Sequence, residues 1–107
     1  MERKIYHKLV RDRIPQIIAD GGGNCTVDVL DDSSYLQMLD EKLEEELAEY
    51  RQSGELEELA DLLEVMEAAV KARGYTWEDL RRVQLKKREE RGGFEKKLLL
   101  KEVIKAQ

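Results

Sequence analysis

Lys42-Leu43-Glu44-Glu45-Glu46-Leu47-Ala48-Glu49-Tyr50, followed after a short break by Glu57-Glu58-Leu59-Ala60-Asp61-Leu62-Leu63-Glu64, is the stretch on which the reading of this chain turns. Its leucines recur at the three- and four-residue spacing of one helix face. Each of the two segments then carries a pair of acids along the border of its apolar stripe. A carboxylate beside a core is costly unless it is neutralised, paired or bound to a metal. The break at Ser53-Gly54 is short, which makes the two helices an antiparallel hairpin.

Working outward, Asp31-Asp32-Ser33-Ser34 offers caps for the first helix of the hairpin, which runs to about Gln52 with the stripe Leu36, Leu39, Leu43, Leu47 and Tyr50. Ser53 is the expected cap of the second helix, whose stripe is Leu59, Leu62, Leu63, Val65, Met66, Ala69 and Val70 before Gly74. Upstream, Asp12 is placed to cap a short helix that tolerates Pro15 in its first turn and ends at Gly21-Gly22-Gly23. Those glycines lack the GK[ST] that a phosphate loop needs, and read as a helix terminus. Cys25 to Asp31 is a short extended linker. Downstream, Thr76-Trp77-Glu78-Asp79 resembles a capping box for a fourth helix, with Leu80, Val83 and Leu85 facing inward, that stops at Gly92-Gly93. The tail from Phe94 contains Leu98-Leu99-Leu100, Val103 and Ile104, and should pack on the bundle or on a second subunit.

The expectation is an all-α antiparallel bundle of about four helices, a single domain over 107 residues, oligomeric, with a short extended linker and an apolar tail. Charged residues make up 40% and aromatics 6%, a balance suited to helices whose seams are filled by aliphatic side chains. Acids outnumber bases by 24 to 19, for a net charge of −5, which argues against binding to a nucleic acid polymer. No apolar run is long enough for a signal peptide or a membrane span, so no membrane partner and a cytoplasmic location are expected. The lone Cys25 makes no internal disulfide and reads as a small, partly buried side chain.

At about 100° per residue, Glu46 lies roughly 60° to one side of Leu43, and Glu49 about 60° further round on the same flank, while Glu45 points away. On the second helix Glu58 borders the Leu62 edge of the stripe, with Asp61 roughly 60° beyond it. If the hairpin closes stripe against stripe, four carboxylates converge on one cleft with no basic residue inside either pair. Such a cluster suits a hard cation that takes oxygen ligands, magnesium first and manganese as the alternative. A cation held this way would serve phosphoanhydride hydrolysis. The same spacing also occurs at Glu41/Glu44, Glu55/Glu58 and Glu64/Glu67. By spacing alone, a solvated acidic face stands slightly ahead of a metal site.

Lys42-Leu43-x-Glu45-Glu46-x-x-Glu49 with Glu58-Leu59-Ala60-Asp61 resembles the EExxE…ExxD signature of the all-α nucleotide pyrophosphohydrolases. The opening Lys8-Leu9-Val10-Arg11-Asp12-Arg13-Ile14-Pro15 and the closing Arg88-Glu89-Glu90-Arg91-Gly92-Gly93-Phe94 are similar to the ends of a small MazG-like, phosphoribosyl-ATP pyrophosphohydrolase-like group. The resemblance implies magnesium on Glu46, Glu49, Glu58 and Asp61, with Glu45 a weaker candidate ligand, and Glu46 and Glu49 as catalytic candidates. It also implies a nucleotide substrate cleaved to monophosphate and pyrophosphate, and a homo-oligomer, dimer or tetramer. The segment from Glu49 to Glu58 is shorter than in many relatives. Glu64 is a further candidate ligand, though an exposed acid is the simpler reading. Arg11 and Arg91 are the candidate triphosphate contacts, with a structural ion pair an equal alternative for each. The rival functions are phosphoribosyl-ATP hydrolysis and a non-catalytic helical interaction module.

Overall fold

The structure, a computed structural model, describes residues 3–106. It is all-α: α1 (Ile14–Asp20), α2 (Asp32–Ser53), α3 (Leu56–Ala72) and α4 (Trp77–Arg91), with no strand among the described residues. Two compact units divide the chain, Met1–Tyr75 and Thr76–Gln107. The first holds α1 to α3, the second α4 and the tail.

In the first unit, α1 is capped by Arg13 with no side-chain bond, so the expected Asp12 cap does not form. The backbone does that job instead, through a turn in which the Ile14 amide donates to the Arg11 carbonyl at 3.0 Å. The amides of Gly21, Gly22 and Gly23 donate to the carbonyls of Ile17, Ala19 and Ile18. They are spent on closing the helix, which leaves no cradle for a phosphate. Beyond them the chain has no regular structure up to Asp31. Cys25 is exposed there rather than partly buried, because nothing packs over this segment.

Asp31 caps α2, its carboxylate accepting from the Ser34 amide at 2.7 Å. Gly54 ends the helix at φ 68°, a left-handed conformation that glycine adopts without strain. The cap of α3 is Glu55, not Ser53; the Ser53 hydroxyl accepts from the Glu55 amide at 3.2 Å and so braces the turn. That tight reversal lays α3 against α2 as an antiparallel hairpin. Leu39 is its one fully buried apolar side chain among the described residues. Leu36, Leu43, Tyr50, Leu62 and Val65 are half-buried, while Leu47, Leu59, Leu63 and Met66 are exposed. Two helices cover only one side of each other, so part of both stripes faces out.

In the second unit, Thr76 and Asp79 form the capping box, the Thr76 hydroxyl accepting from the Asp79 amide at 3.1 Å and the Asp79 carboxylate accepting from the Thr76 amide at 2.9 Å. Leu80 is half-buried, whereas Val83 and Leu85 are exposed rather than inward. After Gly92 the chain is irregular, and Phe94, Leu98, Leu99, Leu100, Val103 and Ile104 are all exposed. The tail is therefore not buried within the second unit. No described helix is long and apolar enough to cross a membrane.

Candidate metal centre

Helix α2 turns the flank beside Leu39 and Leu43 toward α3, and Glu46 goes with it. Only 6% of Glu46 is exposed, and it is the buried charged residue of the described chain. Across the hairpin, the three-residue spacing of Glu58 and Asp61 sets both on the side of α3 that meets α2. Carboxylate oxygens of Glu46, Glu58 and Asp61 lie within 4.8 Å of one another. Glu46 Oε2 is buried with no hydrogen-bond partner. Burial pushes the Glu46 carboxyl above the usual range, and contact with the Glu49 carboxyl adds to the rise, against a smaller lowering by Lys42.

Of the four expected ligands, three thus converge. Glu49 lies against Glu46 on the same flank but is exposed and stands outside the converging set. Glu64 joins the lining of the adjoining cleft. No basic residue lies inside either acid pair, but cations from outside the pairs reach the cluster. Lys42 Nζ reaches Glu46 Oε1 at 3.4 Å and Glu45 Oε1 at 3.2 Å, and Lys8 Nζ reaches Glu45 at 3.7 Å. Glu45 therefore does not point clear of the site; it shares a lysine with Glu46. The spacing of Lys42 to Glu46, one helical turn, was a signal for this pair that the acid pattern overshadowed. Arg11 Nη2 donates to Asp61 Oδ1 at 2.6 Å, bridging fifty residues of sequence. Arg91 belongs to the second unit, where it lines a separate cleft with Lys87, Arg88, Gly92, Gly93 and Phe94.

Two of the three converging acids, Glu46 and Asp61, line a cleft of about 860 Å³ whose walls also include Leu9 to Ile14, Tyr35, Leu39, Lys42 and Glu64. Its size falls in the range of small-molecule sites. A hard divalent cation fits the donor set: the converging groups are all carboxylates, and the buried Glu46 Oε2 lacks any other partner. Softer metals that prefer thiolate or imidazole would find neither here.

No family model matches the chain. Over 44 residues it is 48% identical to an uncharacterized protein of Mycolicibacterium smegmatis, a match that takes in 41% of this chain and 45% of that protein. The likeness spans less than half of either. No solved structure matches.

Proposed function

We propose that the first unit hydrolyses a nucleoside triphosphate or related nucleotide to the monophosphate and pyrophosphate. The observation that carries the reading is the convergence of Glu46, Glu58 and Asp61 around a buried carboxylate oxygen with no partner, beside an open cleft that Glu46 and Asp61 line. The resemblance of the EExxE…ExxD pattern supports the choice of reaction, and the hairpin supports the pattern by joining its two halves.

Glu46, Glu58 and Asp61 would hold magnesium, or manganese in its place. When bound, a divalent cation neutralises phosphate oxygens and polarises the phosphorus under attack. Glu49, exposed beside Glu46, would accept the proton of the water molecule attacking that phosphorus. The bond to the pyrophosphate oxygen breaks as the new P–O bond forms, and the proton passes from Glu49 to solvent. Arg11, within the same cleft, is suited to a bidentate contact with a phosphate. The apolar residues left exposed on α2 and α3 support a homo-oligomer, since a second copy would take them out of water.

A purely structural reading is favoured by one observation, the neutralisation of Asp61 by Arg11 and of Glu46 by Lys42. Pyrophosphate release across a panel of ordinary, modified and phosphoribosyl nucleotides, with and without magnesium, separates the two. Magnesium-dependent release from any member is expected. The absence of release from all of them, together with no magnesium-induced rise in melting temperature, would leave the acids as a structural ion network.

A further inference from the structure

The sequence leaves Arg11 equally a phosphate contact or a structural ion pair, and the structure seats it on a carboxylate of the candidate metal centre. Its guanidinium holds Asp61 Oδ1 at 2.6 Å, in a pair that is open to solvent, with 57% of the Arg11 side chain and 40% of the Asp61 side chain exposed. Asp61 is also one of the three residues whose oxygens converge. A guanidinium and a divalent cation on the one Asp61 carboxylate would compete for its single negative charge, and two positive charges brought that close repel. The second cation of the site, Lys42, is held differently. Its ammonium is largely buried between Glu45 and Glu46, so its position does not depend on Asp61.

We infer that Arg11 is a displaceable counter-cation. It neutralises Asp61 while the site is free of metal, gives the carboxylate up when a divalent cation enters, and is then available to a phosphate in the same cleft. The inference rests on the reading of Glu46, Glu58 and Asp61 as a cation site. An exposed ion pair is weak enough for this exchange, favouring the paired state by about two- to five-fold. The displaced side chain is not lost from the cleft, because its neighbours Leu9, Val10 and Asp12 to Ile14 line it too. Metal entry would thus convert an internal ion pair into a phosphate receptor, so that the anion binds better after the metal.

The test compares Arg11→Gln with Arg13→Gln, which removes the same charge from the same cleft wall at a residue with no ion pair among the described ones. Isothermal titration with magnesium alone should show about two- to five-fold tighter binding for Arg11→Gln than for wild type. Arg13→Gln should shift it by less than that. Titration of the magnesium-saturated proteins with magnesium pyrophosphate should then show the opposite sign, with Arg11→Gln about ten-fold weaker than wild type. An unchanged magnesium affinity in Arg11→Gln, or an equal gain in Arg13→Gln, overturns the exchange. Unchanged pyrophosphate affinity overturns the hand-over to phosphate. Failure of wild type and both variants to bind magnesium overturns the cation site itself and the inference with it, an outcome distinct from the others.

Discussion

Helix α2 carries Glu44-Glu45-Glu46 and α4 carries Glu89-Glu90, yet only the hairpin takes a carboxylate out of water. In α2 the acids alternate with Leu39, Leu43 and Leu47, so one of them is carried to the contact with α3. In α4 the acids sit among Lys86, Lys87, Arg88 and Arg91, and every residue from Arg81 to Arg91 is exposed. The caps sharpen the contrast. Asp31 and Asp79 accept backbone amides at helix starts, which holds both carboxyls below the usual range, whereas Glu46 is pushed above it by burial. An acid run is therefore taken out of water only where an apolar stripe and a facing helix cover part of it.

The strongest way to break this contrast is through Leu39, the buried anchor of the hairpin. Leu39→Ala should cost about 2–5 kcal/mol in urea unfolding, against a change within about 0.5 kcal/mol for Leu99→Ala in the exposed tail. Next comes the site itself. On the proposed hydrolysis, Asp61→Asn and Glu58→Gln should each lower magnesium-dependent pyrophosphate release by about 10- to 100-fold, with Glu89→Gln on α4 at the wild-type rate. Equal losses from Glu58 and Glu89 would erase the distinction between the two helices.

Smaller effects test the cost of burial. Glu46→Gln removes a desolvated charge and should raise metal-free stability by about 1 kcal/mol, while abolishing the magnesium-induced rise in melting temperature. A fall in stability instead would mean that the Lys42 pair outweighs desolvation. At the caps, Thr76→Ala should cost about 1 kcal/mol. The pH dependence has opposite signs in the two places. Because the folded Asp31 and Asp79 carboxyls are lowered, their contribution is complete above the ordinary aspartate value of about 3.9 and is lost as pH falls through the folded value. Because the Glu46 carboxyl is raised, its penalty is present at neutral pH and is relieved as pH falls through its raised value. Melts of Asp31→Asn should accordingly show a shallower loss of stability in acid than wild type.

Much of this was legible in the chain because it is local. Caps at Asp31 and Thr76, stops at Gly54 and Gly92, and the leucine spacing depend on residues within a turn or two of one another, so the four helices could be read off directly. The pairing of Glu58 with Asp61 on one face is local as well. Where an expected cap failed, at Asp12 and Ser53, the Ile14 amide donates to the Arg11 carbonyl and the Glu58 amide to the Glu55 carbonyl instead.

What only the tertiary structure decided is which groups share space across the hairpin. Helix periodicity names the acids on a flank, but it does not say that Glu46 is buried, that its Oε2 lacks a partner, or that Glu49 stands on the exposed rim. Nor can it place Arg11 on Asp61, since a contact between residues fifty positions apart is set by the path of the chain in space. The sequence by itself determined the helices and the candidate acids, because propensity, capping and periodicity act over a few residues. The fold chose among those acids and supplied their cations, because desolvation and charge pairing depend on distance in space.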